Sequence, residues 1–213
     1  MCIRDSITPD SFYDGGIFNS EKKILNQVNK MINDGADIID VGGYSSRPGA
    51  KQVKVEDEIK RVIPVIELIK KKFSKTIISI DTFRSEVAQK AIDSGASIVN
   101  DISAGELDSN MFKCVAQLNV PYILMHMKGT PKTMQKNPSY DNVLDEICNF
   151  LAQQASFAIK EGISKKNIIV DPGIGFGKTL NDNYKIIAKL NQICKLGYPV
   201  LVGPSKKSFI GAT

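Results

Sequence analysis

Short apolar runs alternate with longer amphipathic segments along most of this chain. The runs are rich in isoleucine and valine and are apolar on both faces, which is typical of buried parallel strands. They cover residues 37–43, 76–82, 97–103, 121–127, 167–173 and 199–205. The pattern predicts six strands at these positions, and it adds a short stub near residues 6–8.

The intervening segments place apolar residues at helical spacing. Predicted helices cover residues 20–36, 54–73, 84–95, 108–119, 140–162 and 180–197. In the first of these, Ser20 is a predicted N-cap and Gly35 lies near the end. The related stretches "DGAD", "SGAS" and "EGIS" each place a glycine just before a strand, where it suits a helix C-cap.

This alternation predicts an α/β fold with a parallel sheet covered on both faces. The specific expectation is a (β/α)8 TIM barrel, which normally has eight units and about 250 residues. Only six strands are clear, so the expected barrel is truncated at the N-terminal strand and before the eighth strand. Residues 1–6 match the pattern poorly and are interpreted as a foreign start. Residues 7–213 are interpreted as one barrel domain, incomplete at its C-terminus.

The composition narrows the range of partners and compartments. Hydrophobic residues make up 42% and charged residues 24%, as in ordinary soluble domains, and the net charge is +5. Because the lysines are scattered, we expect anionic small molecules as partners and no nucleic acid. No apolar run approaches transmembrane length, so we expect no membrane partner. The four cysteines show no C-x-x-C spacing. Three of them lie in helical apolar patterns, which predicts packed, reduced thiols in a cytoplasmic protein.

Polar residues occur late in the predicted strands or just after them. They are Asp40, Asp81, Asn100 with Asp101, His126, Asp171 and the run Ser205 to Ser208. In a β/α barrel that end of the strands carries the chemistry. Any one of these residues alone would be assigned to a helix cap or a loop tie. Six positions in register favour a polar site instead.

The residue types restrict the chemistry of such a site. The single histidine, His126, is interpreted as a packed, hydrogen-bonded residue, and no Ser-His-Asp arrangement or His/Cys zinc site is supported. Carboxylates beside an amide suit a flat heterocycle with an amidine-like edge. Arg47 and Lys207 suit anionic groups. The glycines of "GIGFGK", residues 173–178, free the backbone to cradle an anion or a flat ring.

Six loop motifs together resemble the dihydropteroate synthase family in order and spacing. They are "TPDSFYDGG" (8–16), "DVGGYSSRPGA" (40–50), "SIDTFRSEVAQKAIDSGASIVNDISAG" (79–105), "LMHMKGTPKTMQ" (124–135), "DPGIGFGKT" (171–179) and "VGPSKKSFIG" (202–211). The resemblance implies a TIM barrel that condenses dihydropterin-6-ylmethyl diphosphate with 4-aminobenzoate. The products would be dihydropteroate and diphosphate, in folate biosynthesis.

The resemblance also implies roles for individual residues. It assigns the pterin to a pocket of polar residues, apolar walls and a lysine: Asp81, Asn100, Asp171, Met125, Ile102, Phe176, Gly203 and Lys207. It assigns the diphosphate to Ser46 and Arg47, and the aminobenzoate to Pro48 and Ser208. The first loop, with Asp10, Phe12 and Asp14, would fold over the site. Arg47 and Lys207 would be the catalytic residues, and Mg²⁺ would accompany the diphosphate.

Some positions depart from the family pattern. Ser6 stands where the family has an asparagine that contacts the diphosphate and metal, and Tyr44 stands where it often has Glu or Gln. The last strand of the family, with an arginine and a histidine, has no counterpart here. Loss of activity through truncation therefore stays open, as does a homodimer of the full-length parent.

Other functions stay open beside this one. A non-catalytic pterin-binding fragment is one, and a methyltetrahydrofolate–corrinoid methyltransferase is another. The methyltransferase is not expected to carry "SSRPGA" or "SKKS", both of which this chain has. A generic phosphate-binding aldolase-type barrel ranks third, because no lysine embedded in a strand suits a Schiff base.

Overall fold

The computed structural model describes residues 4–7, 17–44, 53–130, 133–134 and 138–204, with the backbone alone at 4–7 and 17–20. The chain divides into two compact units. The first comprises Met1–Ser45 with Lys51–Asn100, and the second comprises Ser46–Ala50 with Asp101–Thr213.

The first unit alternates parallel strands with helices. In chain order they are β1 (Arg4–Ile7), α1 (Ile17–Asn33), β2 (Ile38–Gly42), α2 (Val55–Lys72), β3 (Ile77–Asp81), α3 (Ser85–Asp93) and β4 (Ile98–Asp101), whose last residue opens the second unit. The strands neighbour one another in the order β1-β2-β3-β4. The register places Asp40 beside Ser79, and Asp81 beside both Gly42 and Asn100.

The second unit continues the same alternation. It contains α4 (Met111–Leu118), β5 (Tyr122–Met125), α5 (Val143–Lys160), a 3-10 turn (Lys165–Asn167), β6 (Ile168–Asp171), α6 (Leu180–Ala188) and α7 (Leu190–Cys194). Strands β5 and β6 are parallel and pair from Tyr122 with Ile168 to Met125 with Asp171.

Alternate strand residues form the apolar core of the first unit. Ile39, Val41, Ile78 and Ile80 are fully buried, while Asp40 and Ser79 point to the opposite face of the sheet. Helix α2 contributes four buried aliphatic side chains at helical spacing, which are Val62, Val65, Ile66 and Ile69. Each such side chain stabilises the fold by about 1.5–3 kcal/mol when it leaves water.

The predicted elements are confirmed with some differences at their ends. The stub expected at residues 6–8 is β1, which begins earlier, at Arg4, because strand pairing uses backbone groups and tolerates polar side chains. Helix α1 begins at Ile17, so the predicted N-cap role of Ser20 is wrong. The glycines expected to end helices do so, with positive φ angles at Gly35, Gly95 and Gly162.

Two predictions near the end of the chain are corrected. The helix expected over 180–197 is two helices, because Lys189 leaves the helical conformation at φ −118° and ψ 28°. The strand expected over 199–205 contributes a single bridge, between Val170 and Val200, within the residues described up to Pro204. Proline at 199 and 204 lacks the N–H that a longer ladder needs.

The thiols are less buried than their helical pattern predicts. Cys114 and Cys148 are half-buried and Cys194 is exposed, and these three described cysteines are not joined in disulfides. The core role expected for Cys194 is therefore wrong.

Asp101 is the last residue of β4 and fastens the loop that follows it. Its buried carboxylate accepts hydrogen bonds from the Tyr122 hydroxyl at 2.6 Å, from the backbone N–H and Oγ of Ser103 at 2.8 and 2.7 Å, and from the Gly105 N–H at 2.8 Å. Burial raises the pKa of Asp101, and the hydrogen bonds from Tyr122 and Ser103 oppose that shift. The strand-end position of Asp101 thus reflects a structural role.

His126 follows β5 and is packed, as its sequence context predicts. The side chain is 6% exposed, and its ring meets the Phe150 ring edge-on at 5.0 Å between centroids. Burial, with the positive charges of Lys178 and Lys128, lowers the pKa of His126 to about 3. The imidazole is therefore neutral at physiological pH.

The Tyr122–Asp101 bond can be tested by Tyr122→Phe. We expect the free energy of unfolding to fall by about 1–3 kcal/mol in urea denaturation, because a fully buried carboxylate loses a donor. Tyr198→Phe removes a hydroxyl from a half-buried ring and should change that free energy by less than about 0.5 kcal/mol. Equal small effects in the two variants would show that this buried bond is not a stabilising one.

The neutral histidine predicts a pH dependence of stability. The pKa of His126 is about 3 in the folded state and 6.5 as the reference, so the unfolded chain takes up the proton first as the pH falls. The contribution of His126 to the free energy of unfolding is fully present above pH 6.5 and is lost as the pH falls toward 3. Between pH 7.5 and pH 5 we expect a loss of about 2 kcal/mol that His126→Asn does not show. Parallel urea denaturation series would measure it, and identical losses in both proteins would contradict it.

Candidate functional site

The first unit presents polar side chains along one face of its strands. The Ser79 hydroxyl donates to Asp40 Oδ1, and the Asn100 amide nitrogen lies 3.5 Å from the same oxygen. All three residues are buried. Asp81 lies two residues beyond Ser79 on the same face and is half-buried. Asp40 is thus surrounded by neighbouring side chains, whereas Asp81 is the more accessible carboxylate.

Gly42 leaves room beside Asp81. A Cβ atom at Gly42 would lie 3.3 Å from the Cβ of Asp81 and 3.5 Å from its Oδ2 atom. A side chain on β2 would therefore crowd the carboxylate. The next residue, Gly43, lets the strand end approach α2, because its Cβ would lie 2.8 Å from Cγ1 of Val62.

An ion pair connects helix α2 to the segment that follows β3. Glu58 on α2 is fully buried, and it accepts from Thr82 Oγ1 at 2.7 Å and from Arg84 Nη1 at 2.5 Å. Burial raises the pKa of Glu58, while the Thr82 bond and the Arg84 charge oppose that rise. Arg84 also donates to the Val53 carbonyl at 2.6 Å, and its guanidinium lies 5.6 Å from the Tyr44 ring centroid.

Sequence reasoning missed this cluster. Thr82 and Arg84 directly follow the strand-end Asp81, so their position within "DTFR" was the available signal. Tyr44, which departs from the family pattern, forms one side of the arginine contact. Arg84 thereby contacts the residues on both sides of segment 45–52.

The second unit places Asp171 at the end of β6, where it is buried. Its Oδ1 atom accepts from the Gly173 N–H at 2.7 Å. Gly173 has φ +67°, and a Cβ there would lie 1.9 Å from the carbonyl oxygen of His126, so only glycine fits. The chain after β6 therefore packs directly against the end of β5.

Several hydrogen bonds hold the glycine-rich loop, residues 173–178. The Gly175 N–H donates to Asn183 Oδ1 at 2.8 Å, and the Tyr140 hydroxyl donates to the Gly177 carbonyl at 2.6 Å. Helix α6 begins just after the loop with a capping box between Thr179 and Asp182. The loop is thus tied to α6 and to residues ahead of α5.

The remaining expected site residues fall into described and undescribed groups. Ile102 and Met125 are buried, and Phe176 and Gly203 are half-buried. Met125 pairs with Asp171 in the sheet register, so these two residues of the second unit lie side by side. Eight expected residues lie outside the described part of the chain, namely Asp10, Phe12, Asp14, Ser46, Arg47, Pro48, Lys207 and Ser208.

The described residues offer limited metal chemistry. They contain no group of three or more His, Cys, Asp or Glu side chains arranged to hold a metal ion. Mg²⁺ takes few protein ligands when substrate phosphates supply oxygens, so a diphosphate-borne ion would not require such a group. Within the same residues, no helix has the length and apolar character needed to cross a membrane.

Comparison with known proteins gives consistent relatives. Residues 6–213 match the family described as pterin binding enzyme. Dihydropteroate synthase of Streptococcus pyogenes is 45% identical over 97% of this chain and 75% of that protein. The folic acid synthesis protein fol1 of Pneumocystis carinii is 47% identical over 97% of this chain, which spans only 28% of that longer relative.

Solved structures agree in fold. Xanthomonas albilineans dihydropteroate synthase with 4-aminobenzoic acid superposes with a TM-score of 0.89 at 40% identity, covering 99% of this chain and 74% of that one. The same species' enzyme in complex with 7,8-dihydropteroate gives 0.86 at 37% identity, with 99% and 75% coverage. The expected TIM-barrel fold class is confirmed by these neighbours. This chain belongs to the dihydropteroate synthase family of pterin-binding transferases.

Proposed function

We propose that this chain carries the dihydropteroate synthase reaction. The substrates would be a dihydropterin-6-ylmethyl diphosphate and 4-aminobenzoate, and the products dihydropteroate and diphosphate. The supporting observation is that each unit ends a buried strand in a carboxylate that the resemblance assigns to the pterin. These are Asp81 on β3 and Asp171 on β6. The solved relatives with 4-aminobenzoic acid and dihydropteroate support the same substrates.

The pterin would be recognised through its flat, hydrogen-bonding edge. An ionised carboxylate accepts two N–H groups of an aminopyrimidinone edge, and we assign this contact to Asp171. Asp81 and Asn100 would take further ring groups, since an amide both donates and accepts. The walls would be apolar or small residues, which are Ile102, Met125, Phe176 and Gly203.

The anionic part of the substrate would need basic residues. By the resemblance, Arg47 would offer a fork of donors to the diphosphate together with Ser46, and Lys207 would supply a point charge for the ring. Pro48 and Ser208 would contact the aminobenzoate, while Asp10, Phe12 and Asp14 belong to the loop expected to cover the site. Bound Mg²⁺ would neutralise charge on the diphosphate.

The reaction needs charge placement more than proton transfer. The bond between the methylene carbon and the diphosphate oxygen breaks, and its electron pair leaves with the diphosphate. The resulting cation is delocalised into the pterin. The amine nitrogen then donates its lone pair to the methylene carbon and loses a proton. Residues that position the amine and stabilise separated charge supply the catalysis.

Turnover by this chain tests the proposal directly. Diphosphate release that requires both substrates, with dihydropteroate formed in equal amount, would support it. Pterin binding without turnover would favour a non-catalytic pterin-binding protein. A cytoplasmic location and a homodimer are part of the same proposal.

Asp171→Asn isolates the charge at the pterin edge. Asparagine keeps an oxygen for the Gly173 N–H, which Asp171 now accepts at 2.7 Å, so the loop should persist. We expect pterin binding to weaken by about 1–3 kcal/mol, the scale for hydrogen bonds to a charged group. Calorimetric titration with a diphosphate-free pterin measures it. The exposed Asp34→Asn is the matched control, and unchanged affinity in Asp171→Asn would remove this residue from the site.

Arg47→Ala tests the assignment of the anion. We expect turnover to fall at least about tenfold, or roughly 1.4 kcal/mol of transition-state stabilisation. Binding of a diphosphate-free pterin should hardly change, because the arginine serves the anion and not the ring. Steady-state kinetics and calorimetry together measure both effects. Equal losses in the two measurements would assign Arg47 to the fold or the ring pocket instead.

A further inference from the structure

Lys178 ends the glycine-rich loop with its ammonium buried inside the second unit. The residue is 5% exposed. Its Nζ atom lies 2.9 Å from His126 Nδ1, 3.2 Å from the His126 carbonyl oxygen and 2.9 Å from the Phe176 carbonyl oxygen. A lysine ammonium has three donors, so three acceptors match its full capacity. Burying such a charge without partners would be costly.

The contact with Lys178 also determines the state of the single histidine. An ammonium only donates, so His126 Nδ1 must accept, and the ring proton lies on Nε2. The ring also packs edge-on against the Phe150 ring, with 5.0 Å between centroids. His126 is therefore a neutral acceptor in a fixed position.

The glycine-rich loop lies directly on the residues that follow β5. A Cβ at Gly173 would lie 1.9 Å from the His126 carbonyl oxygen, and a Cβ at Gly177 would lie 2.5 Å from the Lys128 carbonyl oxygen. The ammonium of Lys178 links both sides of this contact, because it binds His126 on one side and Phe176 on the other.

We propose that Lys178 and His126 form a strut that fixes the glycine-rich loop against the end of β5 and thereby positions Phe176 for the pterin. Both are positioning residues and act through the loop. The identity of the ligand rests on the proposed function, whereas the strut rests on the contacts above. Its operation requires a neutral acceptor at the position of His126 Nδ1.

A matched pair of variants at residue 126 tests the requirement for an acceptor. His126→Asn places an amide oxygen near the Nδ1 position, and His126→Leu has no acceptor; both lose the contact between the ring and Phe150. With 6-hydroxymethylpterin in calorimetry, we expect the Kd of His126→Asn to stay within about threefold of the wild type. The Kd of His126→Leu should rise at least about tenfold, or roughly 1.4 kcal/mol. Similar Kd values for the two variants would overturn the proposal.

Lys178→Met is a second test of the strut. Methionine keeps most of the apolar part of the side chain and removes the hydrogen-bond donors. We expect the same rise in Kd as in His126→Leu. The double variant with His126→Leu and Lys178→Met should bind the pterin no more weakly than Lys178→Met alone, because the two residues act as one unit. Additive losses would contradict the strut. Lys113→Met, on the exposed face of α4, is the control and should leave the Kd unchanged.

A measurement without ligand separates the strut from the proposed function. Hydrogen exchange of the amides at 173–178 should accelerate at least about tenfold in His126→Leu and Lys178→Met, and not in His126→Asn, because the loop opens more often. If wild-type protein binds no pterin, the proposed function fails while this exchange pattern still tests the strut. Unchanged exchange in all three variants would overturn the strut itself.

Discussion

Charges that this fold buries near the ends of its strands must find their partners inside the protein, since desolvation is costly. Glu58 finds them in Thr82 and Arg84, and Asp101 finds them in Tyr122 and its own loop. Each of these sets of hydrogen bonds ties a loop to a neighbouring element through a side chain that is distant in the sequence. The shape of the loops around the strand ends is therefore a consequence of satisfying buried charge.

The same constraint separates structural carboxylates from candidate binding groups. Asp101 has four donors within its own unit and faces its own loop. Asp81 is only half-buried, and Gly42 leaves space beside it. Asp171 anchors Gly173 with one oxygen, and a carboxylate can accept several bonds at once. Strand-end carboxylates in this chain thus divide by their partners and exposure, and residue type alone does not separate them.

Close backbone approach is the second condition for the site. Gly173 packs on the His126 carbonyl oxygen so tightly that no side chain fits, and the buried ammonium of Lys178 secures the same contact. A loop of glycines would otherwise lose the most conformational entropy on ordering. The loop is fastened by a hydrogen bond that Tyr140 donates to it and by one that Asn183 accepts from it, which offsets part of that cost.

The sequence alone determined the alternation of strands and helices, because apolar periodicity is a local property that can be read directly from the order of residues. It also determined the strand-end placement of Asp81, Asn100 and Asp171, and the family motifs that carry their expected roles. The pattern predicted the start of α1 three residues too late, and it did not predict the break at Lys189.

Only the tertiary structure decided which polar residues meet. Asp101 and its partner Tyr122 are 21 residues apart in the chain, and Lys178 and its partner His126 are 52 residues apart. No local pattern encodes such pairs, because a buried charge pairs with the polar groups that folding brings next to it. For that reason Asp101 was grouped with the site although it fastens its own loop, and the Glu58–Arg84 pair and Lys178 were not recognised at all.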